Sequence, residues 1–138
     1  TLQSEPKNGY DIALILDVSP SMNALGLSKK NYRKNRFAIV QEIVDDFIKK
    51  RKNDHLGVVV FGAYAFVASP LTFDKNILSA IVKRLYIKMA GNETAIIDAL
   101  AQGVALFNKS KSKSKIAILL TDGQNTSGDI PLSVAIKL

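Results

Sequence analysis

Two aspartates and two serines in this sequence have the types and the order that a hard divalent cation uses. Asp17 follows an apolar run, and Ser19 and Ser21 come after it at alternate positions in the segment Asp-Val-Ser-Pro-Ser. In an extended loop, alternate side chains point to the same side and converge on one spot. Asp122 follows a second apolar run and precedes a glycine. Carboxylates, hydroxyls and water supply the six oxygen ligands that a magnesium-like ion prefers.

Each of these residues also has an ordinary structural explanation. An aspartate after a buried strand is often a turn or cap residue, and serines that follow it are typical of turns. Thr94, which stands after Gly91 at the start of a predicted helix, adds a third hydroxyl from a separate loop. The metal interpretation therefore depends on the combination of both aspartates with the three hydroxyls, and not on any one residue.

Three apolar runs predict the strands that position these residues, over 12–16, 56–61 and 116–120. Each run is nearly continuous, which is typical of strands covered on both faces in a parallel sheet. A short strand is also predicted over 66–71. In open α/β sheets, ligands bind beyond the carboxyl ends of the strands, and the two aspartates follow the first and last of the three runs.

Apolar residues recur at helical spacing in three segments between these strands, 35–51, 72–86 and 94–108. Asn35 can cap the first helix, and Thr72 or Asp74 the second. In the third helix, the residues in register are Ile97, Leu100, Val104 and Phe107. Pro131 stands where a first-turn proline opens a fourth helix. The order predicts an α/β fold, a doubly wound, mostly parallel Rossmann-like sheet with helices on both faces.

Composition excludes several classes of protein. The 138 residues are 47% hydrophobic and 22% charged, which argues against a disordered or coiled-coil chain and fits a single domain over 1–138. Cysteine is absent, so a disulfide scaffold or a thiolate metal site is excluded. The net charge is 19 − 12 = +7. Nucleic-acid binding needs base-reading elements besides a basic patch, and solvated faces are the favoured interpretation of the lysines.

A magnesium-dependent phosphohydrolase is the alternative function, because an aspartate at the end of a first strand beside magnesium also describes that class. Such enzymes usually need a second aspartate two residues after the nucleophile as acid or base, and here that residue is Ser19. Neither common phosphate-binding glycine motif occurs in the sequence. His55 precedes the second strand, so we expect it about 20 Å from the aspartates, which is too far for a general base. These observations favour a domain that catalyses nothing.

The sequence resembles the von Willebrand factor type A domain, also called the integrin I-like domain. That family has a metal-ion-dependent adhesion site written as Asp-x-Ser-x-Ser, a separated Thr, and a separated Asp often followed by Gly. The residues that match it here are Asp17, Ser19, Ser21, Thr94 and Asp122. The likeness covers nearly the whole chain. The segments that resemble the bacterial aerotolerance (Bat-type) proteins more closely are 11–22, 54–61, 70–72 and 119–123.

The resemblance implies a magnesium or manganese ion (Mg²⁺ or Mn²⁺). Ser19 and Ser21 hold it directly, Thr94 directly or through water, and Asp17 and Asp122 mostly through water. One coordination position stays open for a Glu or Asp of a partner protein. The partners that it suggests are an ATPase of the MoxR class or related domains assembled at a membrane. It also implies a parent protein anchored in a bacterial inner membrane, with this domain in a soluble compartment, the periplasm being favoured.

Two residues depart from the family pattern near the metal. Pro20 stands where Gly is commoner, which stiffens the loop and leaves both serines in place. Glu93 precedes Thr94 where a small residue is usual. Its carboxylate is a candidate for the rim of the metal site. There it adds a ligand, blocks the open coordination position or faces solvent, and the favoured interpretation is that it faces solvent.

Two further expectations concern surfaces. The family carries two more strand and helix units after the position where this chain stops, so the strand 116–121 is expected at an exposed apolar edge, through which the chain self-associates. The basic cluster that follows the metal loop includes Lys29, Lys30 and Lys34. Solvated faces remain the favoured interpretation of such lysines, and the alternative for this cluster is that it steers an acidic partner toward the cation.

Overall fold

The structure is a computed structural model, and it describes residues 9–24, 35–91, 95–108, 110–112, 114–121 and, for the backbone, 133–137. The strands are β1 (Asp11–Asp17), β2 (His55–Phe61), β3 (Ala65–Thr72), β4 (Lys115–Leu120) and β5 (Ser133–Lys137). They form one sheet in the order β3-β2-β1-β4-β5. The three central strands are parallel, and each edge strand is antiparallel to its neighbour. The predicted α/β fold with a mainly parallel sheet is confirmed.

In the described part of the chain, three α-helices cover the sheet: α1 (Arg36–Lys50), α2 (Lys75–Arg84) and α3 (Ile96–Ala105). The first two begin at side-chain caps. Asn35 Oδ1 accepts the backbone N–H of Ala38 at 2.7 Å, and Asp74 Oδ1 accepts that of Ile77 at 3.1 Å. Each cap satisfies a backbone donor that the first helical turn leaves unpaired. The predicted starts of α1 and α2 are therefore confirmed, with Asp74 as the cap of α2.

The core has two layers because β1 is buried on both faces. All seven residues of β1 are buried. On one face, Leu14 and its neighbours pack with the buried residues of α1 and α2. On the other face, Ile15 packs with Ala99 of α3 and with Phe107, which follows α3. A strand covered on both sides has no solvent-facing positions to fill with polar residues. This explains the continuous apolar run that ends at Asp17.

The predicted register of α3 is wrong at two positions. Ile97 is 84% exposed and Val104 is 47% exposed, whereas Phe107 is 5% exposed and packs in the core. The face that meets the sheet instead carries Ala99 and Gly103. A Cβ at Gly103 would lie 2.5 Å from Ile15 Cδ1. At Gly103 the helix lies so close to β1 that only a small residue fits. Ile97 and Val104 point away from the sheet, while the predicted Leu100 is partly buried and packs against the core.

The predicted fourth helix is also wrong for residues 133–137, which form β5, while Pro131 lies outside the described residues. The β5 segment contains the β-branched residues Val134 and Ile136, which favour strands. It pairs with β4 from Ile116 to Leu120. The edge of strand 116–121, which was expected to be exposed, is therefore paired with β5. Self-association through that edge would need unpaired backbone N–H and C=O groups, and β5 occupies them.

Within the described ranges, no helix is both long enough and apolar enough to cross a lipid bilayer.

Candidate metal site

The candidate site lies at the carboxyl end of β1, in the middle of the sheet. Asp17 is the last residue of β1 and is completely buried. Backbone hydrogen bonds hold the next residue from two sides: the N–H of Val18 donates to Phe61 O at 2.9 Å, and its carbonyl accepts the N–H of Lys88 at 2.7 Å. The loop therefore leaves β1 along a path fixed by β2 and by the segment after α2.

Two hydrogen bonds orient the carboxylate of Asp17. Its Oδ1 accepts the backbone N–H of Ser19 at 2.8 Å, and its Oδ2 accepts the hydroxyl of Thr121 at 2.6 Å. Thr121 itself is 2% exposed. A buried carboxylate is costly unless donors or a cation compensate its charge. Both oxygens are thus held in place beside the loop that carries the two serines.

The hydroxyls of Ser19 and Ser21 form a hydrogen bond with each other, with 3.2 Å between their oxygens. They meet because Pro20 opens a 3₁₀ turn, Pro20–Asn23, which brings the second serine back toward the first. An extended loop was predicted here, and the 3₁₀ turn brings the two serines together by a different backbone path. The buried side chain of Met22 anchors this turn in the core.

The spacing of the two hydroxyls fits a hard cation. In octahedral Mg²⁺ coordination at 2.0–2.1 Å, adjacent oxygen ligands lie about 2.9 Å apart. The separation of 3.2 Å between Ser19 Oγ and Ser21 Oγ is close to that value. With the buried carboxylate of Asp17 beside them, the described donors are all hard oxygens, which suit magnesium, calcium or manganese better than soft metals.

The contribution of Thr121 was not predicted from the sequence, in which this residue stands between the apolar run 116–120 and Asp122. The contact joins residues 104 positions apart along the chain. In the sequence, Thr121 is visible only as a threonine that directly follows an apolar run. The parallel register of β1 with β4 is what brings it to Asp17.

Several predicted site residues lie outside the described residues: Thr94, Asp122, Glu93, Lys29, Lys30 and Lys34. Described neighbours of the first two lie at the same end of the sheet as Asp17. Ala95, which follows Thr94, donates its N–H to Gly62 O at 2.6 Å, just after β2 ends, and Thr121 precedes Asp122. The start of α3 is further held by Asp98, whose Oδ2 accepts the N–H of Ala65 at 3.0 Å.

His55 lies at the opposite end of the sheet, as the sequence predicted. It is the first residue of β2, whereas the candidate site lies beyond the last residue of β1, its parallel neighbour. His55 contacts Asp11, at the start of β1, with 3.4 Å between Nδ1 and Oδ1. It is therefore not a base for chemistry at Asp17.

Comparison with known proteins gives one family. The family model of the von Willebrand factor type A domain matches residues 12–124. A crystal structure of an uncharacterized membrane-spanning protein from Vibrio fischeri is 34% identical, with a TM-score of 0.71 over 90% of this chain and 61% of that chain. BatB from Bacteroides thetaiotaomicron is 24% identical, with a TM-score of 0.76 over 88% of this chain and 57% of that chain.

Two other comparisons bear on length and on metal. An uncharacterized protein of Borreliella burgdorferi is 32% identical over 130 residues, which are 94% of this chain and 37% of that protein. The chain thus spans 37% to 61% of the length of these three relatives, less than two thirds of each. Proximal thread matrix protein 1 of the mussel byssus, with zinc in its MIDAS motif, shares the fold at 22% identity and a TM-score of 0.62, over 81% of this chain and 28% of that chain.

Proposed function

The chain belongs to the von Willebrand factor type A domain family, and from this membership we propose that it is a protein-binding module that works through a divalent cation. The observation that carries the proposal is the pair of hydroxyls of Ser19 and Ser21, 3.2 Å apart beside the buried carboxylate of Asp17. Ser19 is itself buried beside this carboxylate, which distinguishes the pair from two exposed serines of an ordinary turn.

Each residue has a distinct role in this proposal. Ser19 and Ser21 are direct ligands of Mg²⁺ or Mn²⁺, and Asp17 binds mostly through water, because hydrogen bonds from Ser19 N and Thr121 already orient its two oxygens. Thr94 and Asp122 are included because they match the family motif and because their described neighbours lie at the same end of the sheet. Glu93 is placed at the rim, facing solvent.

The ligands that this chain offers the cation explain why the site would bind a carboxylate of a partner protein. When bound, the cation supplies an open coordination position for a carboxylate of another protein. Two carboxylates of this chain balance its charge, while the neutral hydroxyls of the serines and of Thr94 donate little, so a third carboxylate is attracted. The partner residue is therefore a Glu or Asp that protrudes from the partner's surface.

We further propose that the chain has no catalytic activity. The position two residues after Asp17 holds Ser19, which donates no proton to a leaving group at neutral pH, and the sole histidine lies at the other end of the sheet. A phosphohydrolase is the alternative. Turnover of a generic phosphate ester by the wild type that disappears in Asp17→Asn would establish the alternative and refute this proposal.

The setting of the whole protein is also a proposal. The fold is shared with BatB and with an aerotolerance-related membrane protein from Bacteroides fragilis. By analogy we assign this domain to a soluble compartment, preferably the periplasm, of a protein anchored in a bacterial inner membrane, where its partner is a MoxR-class ATPase or a related domain. Lys29, Lys30 and Lys34 would steer that partner, so reversing their charges should slow association at low salt and leave it unchanged at high salt.

Direct cation binding tests the proposal. We expect equilibrium dialysis to find one Mn²⁺ bound per wild-type chain and at least a tenfold weaker affinity in the double variant Ser19→Ala, Ser21→Ala. Ser69→Ala is the matched control, because that serine is also buried but donates to Pro70 O in β3. Equal Mn²⁺ affinity in the wild type and the double variant would contradict the assignment of the two serines.

A further inference from the structure

A second concave site lies at the opposite end of the sheet from Asp17. It is a cavity of about 480 Å³ at the amino ends of β1 and β2. Pro70, Leu71 and Ala105 form an apolar wall, and Asp11, His55 and Ser110 are polar groups of its lining. Ligand cavities in proteins typically have volumes of about 300–1,000 Å³, mostly apolar walls and a few convergent polar groups. This cavity has each of these properties.

The polar groups form one connected cluster around Asp11. This carboxylate belongs to a residue that is only 7% exposed. Its Oδ2 accepts a hydrogen bond from the Ser110 hydroxyl, and its Oδ1 lies 3.4 Å from His55 Nδ1. The His55 ring in turn stacks on Phe73, with 4.3 Å between ring centroids and 18° between planes. The cluster joins three separate parts of the chain.

The order of these contacts favours binding over catalysis. A serine nucleophile needs a base that accepts its proton, with an acid behind the base to orient it. Here Asp11 stands between Ser110 and His55, so the hydroxyl donates to the carboxylate and the imidazole is not aligned with it. The arrangement orients a carboxylate and does not activate an oxygen.

We propose that this cavity binds a small organic amine that carries an apolar group. A carboxylate has about four acceptor positions, and Ser110 and His55 occupy two of those of Asp11. A primary ammonium donates to the remaining ones, while its apolar group lies against Pro70, Leu71 and Ala105. Asp11 is the acidic residue of the described lining, which contains no lysine or arginine. The site is independent of the proposed cation site.

His55 provides the measurement, because the chain has a single histidine and therefore one set of imidazole proton signals. We would titrate the full chain with benzylamine and, separately, with the similarly shaped benzyl alcohol and benzoate. Benzylamine should shift the His55 signals saturably, with a dissociation constant on the order of 1 mM for so small a ligand. Benzyl alcohol should bind more weakly, and benzoate should not bind.

Two variants locate the binding. Asp11→Asn removes the charge and should weaken benzylamine binding at least tenfold. Ala105→Phe fills the cavity from the exposed end of α3 and should abolish the shift, while Ala101→Phe, one turn earlier and also exposed, should not. The comparison of Ala105→Phe with Ala101→Phe keeps the test valid if Asp11→Asn does not fold. Asp17→Asn should leave benzylamine binding unchanged.

Three outcomes overturn the proposal: no saturable shift with benzylamine up to about 50 times the expected dissociation constant, benzoate binding as tightly as benzylamine, or equal benzylamine binding by Ala105→Phe and Ala101→Phe. Because the readout is a histidine at the far end of β1 from Asp17, failure here is independent of any result on Mn²⁺ binding.

Discussion

Replacement of Asp17 by asparagine should affect stability in opposite directions with and without a cation. The carboxylate accepts hydrogen bonds from Ser19 N and from the Thr121 hydroxyl. An asparagine keeps the first with its carbonyl oxygen and donates its amide to Thr121, whose hydroxyl can reverse and accept. The substitution therefore preserves both contacts and removes one charge from a fully buried position.

The magnitudes follow from linkage. In chelator, Asp17→Asn should be as stable as the wild type or more stable by about 1 kcal/mol, because burying a carboxylate carries a desolvation cost that the neutral amide avoids. A cation at about 100 times its dissociation constant stabilises the wild type by about 2.7 kcal/mol. For 138 residues the unfolding entropy is about 0.29 kcal/mol/K, so Tm should rise by about 9 °C. A variant that binds about 10–100-fold more weakly retains only about 0.4–1.4 kcal/mol.

Scanning calorimetry in chelator and in excess Mg²⁺ or Mn²⁺ measures both effects. Asp54→Asn is the matched control, because Asp54 is a buried aspartate at the other end of the sheet that pairs with Arg51 and accepts the N–H of Tyr10. That control should lose stability in chelator and keep the full increment with the cation. If Asp17→Asn behaves like Asp54→Asn, Asp17 is a structural residue and the reasoning about the site is wrong.

Two further predictions concern packing and pH. Gly103→Ala should destabilise the folded protein by about 1 kcal/mol, because the cost of overpacking against Ile15 exceeds the gain in helix propensity. Adding Ile15→Val should relieve this strain, and a double-mutant cycle measured by chemical unfolding tests it. Hydrogen bonds from Ser79 and then Lys49 hold the pKa of Asp45 below its ordinary value. Asp45→Asn should therefore cost about 0.5–1 kcal/mol at neutral pH, and the difference should disappear as pH falls through that lowered pKa. The exposed Asp46→Asn control should change little at any pH.

The strands β1 and β2 could be predicted because their burial is uniform. Every residue of β1, and all of β2 after its first residue, is buried, so the apolar runs needed no decision about which face points inward. The helix α1 was equally clear, since Asn35 marks its start and Phe37, Val40 and Val44 recur on its buried face.

The predictions were wrong for the register of α3 and for residues 133–137. The first depends on how closely α3 packs against β1, and the second depends on pairing with a strand that is distant in the sequence. Periodicity weights large apolar residues, so it selected Ile97 and Val104 in α3, whereas the close approach to Ile15 selects Ala99 and Gly103. The strand β5 is short, and its structure depends on the open edge of β4 rather than on any pattern within residues 133–137.

The same distinction between local and distant information applies to the two ends of β1. Asp17 and its two serines lie within five residues, so their convergence was visible in the sequence before any fold was known. The partners of Asp11 are His55 and Ser110, and Thr121 reaches Asp17 from the neighbouring strand. These contacts exist only because β1 is the centre of the sheet, with β2 and β4 in parallel register on either side. One buried strand thus presents a carboxylate at each end, and neighbouring elements decide the surroundings of both.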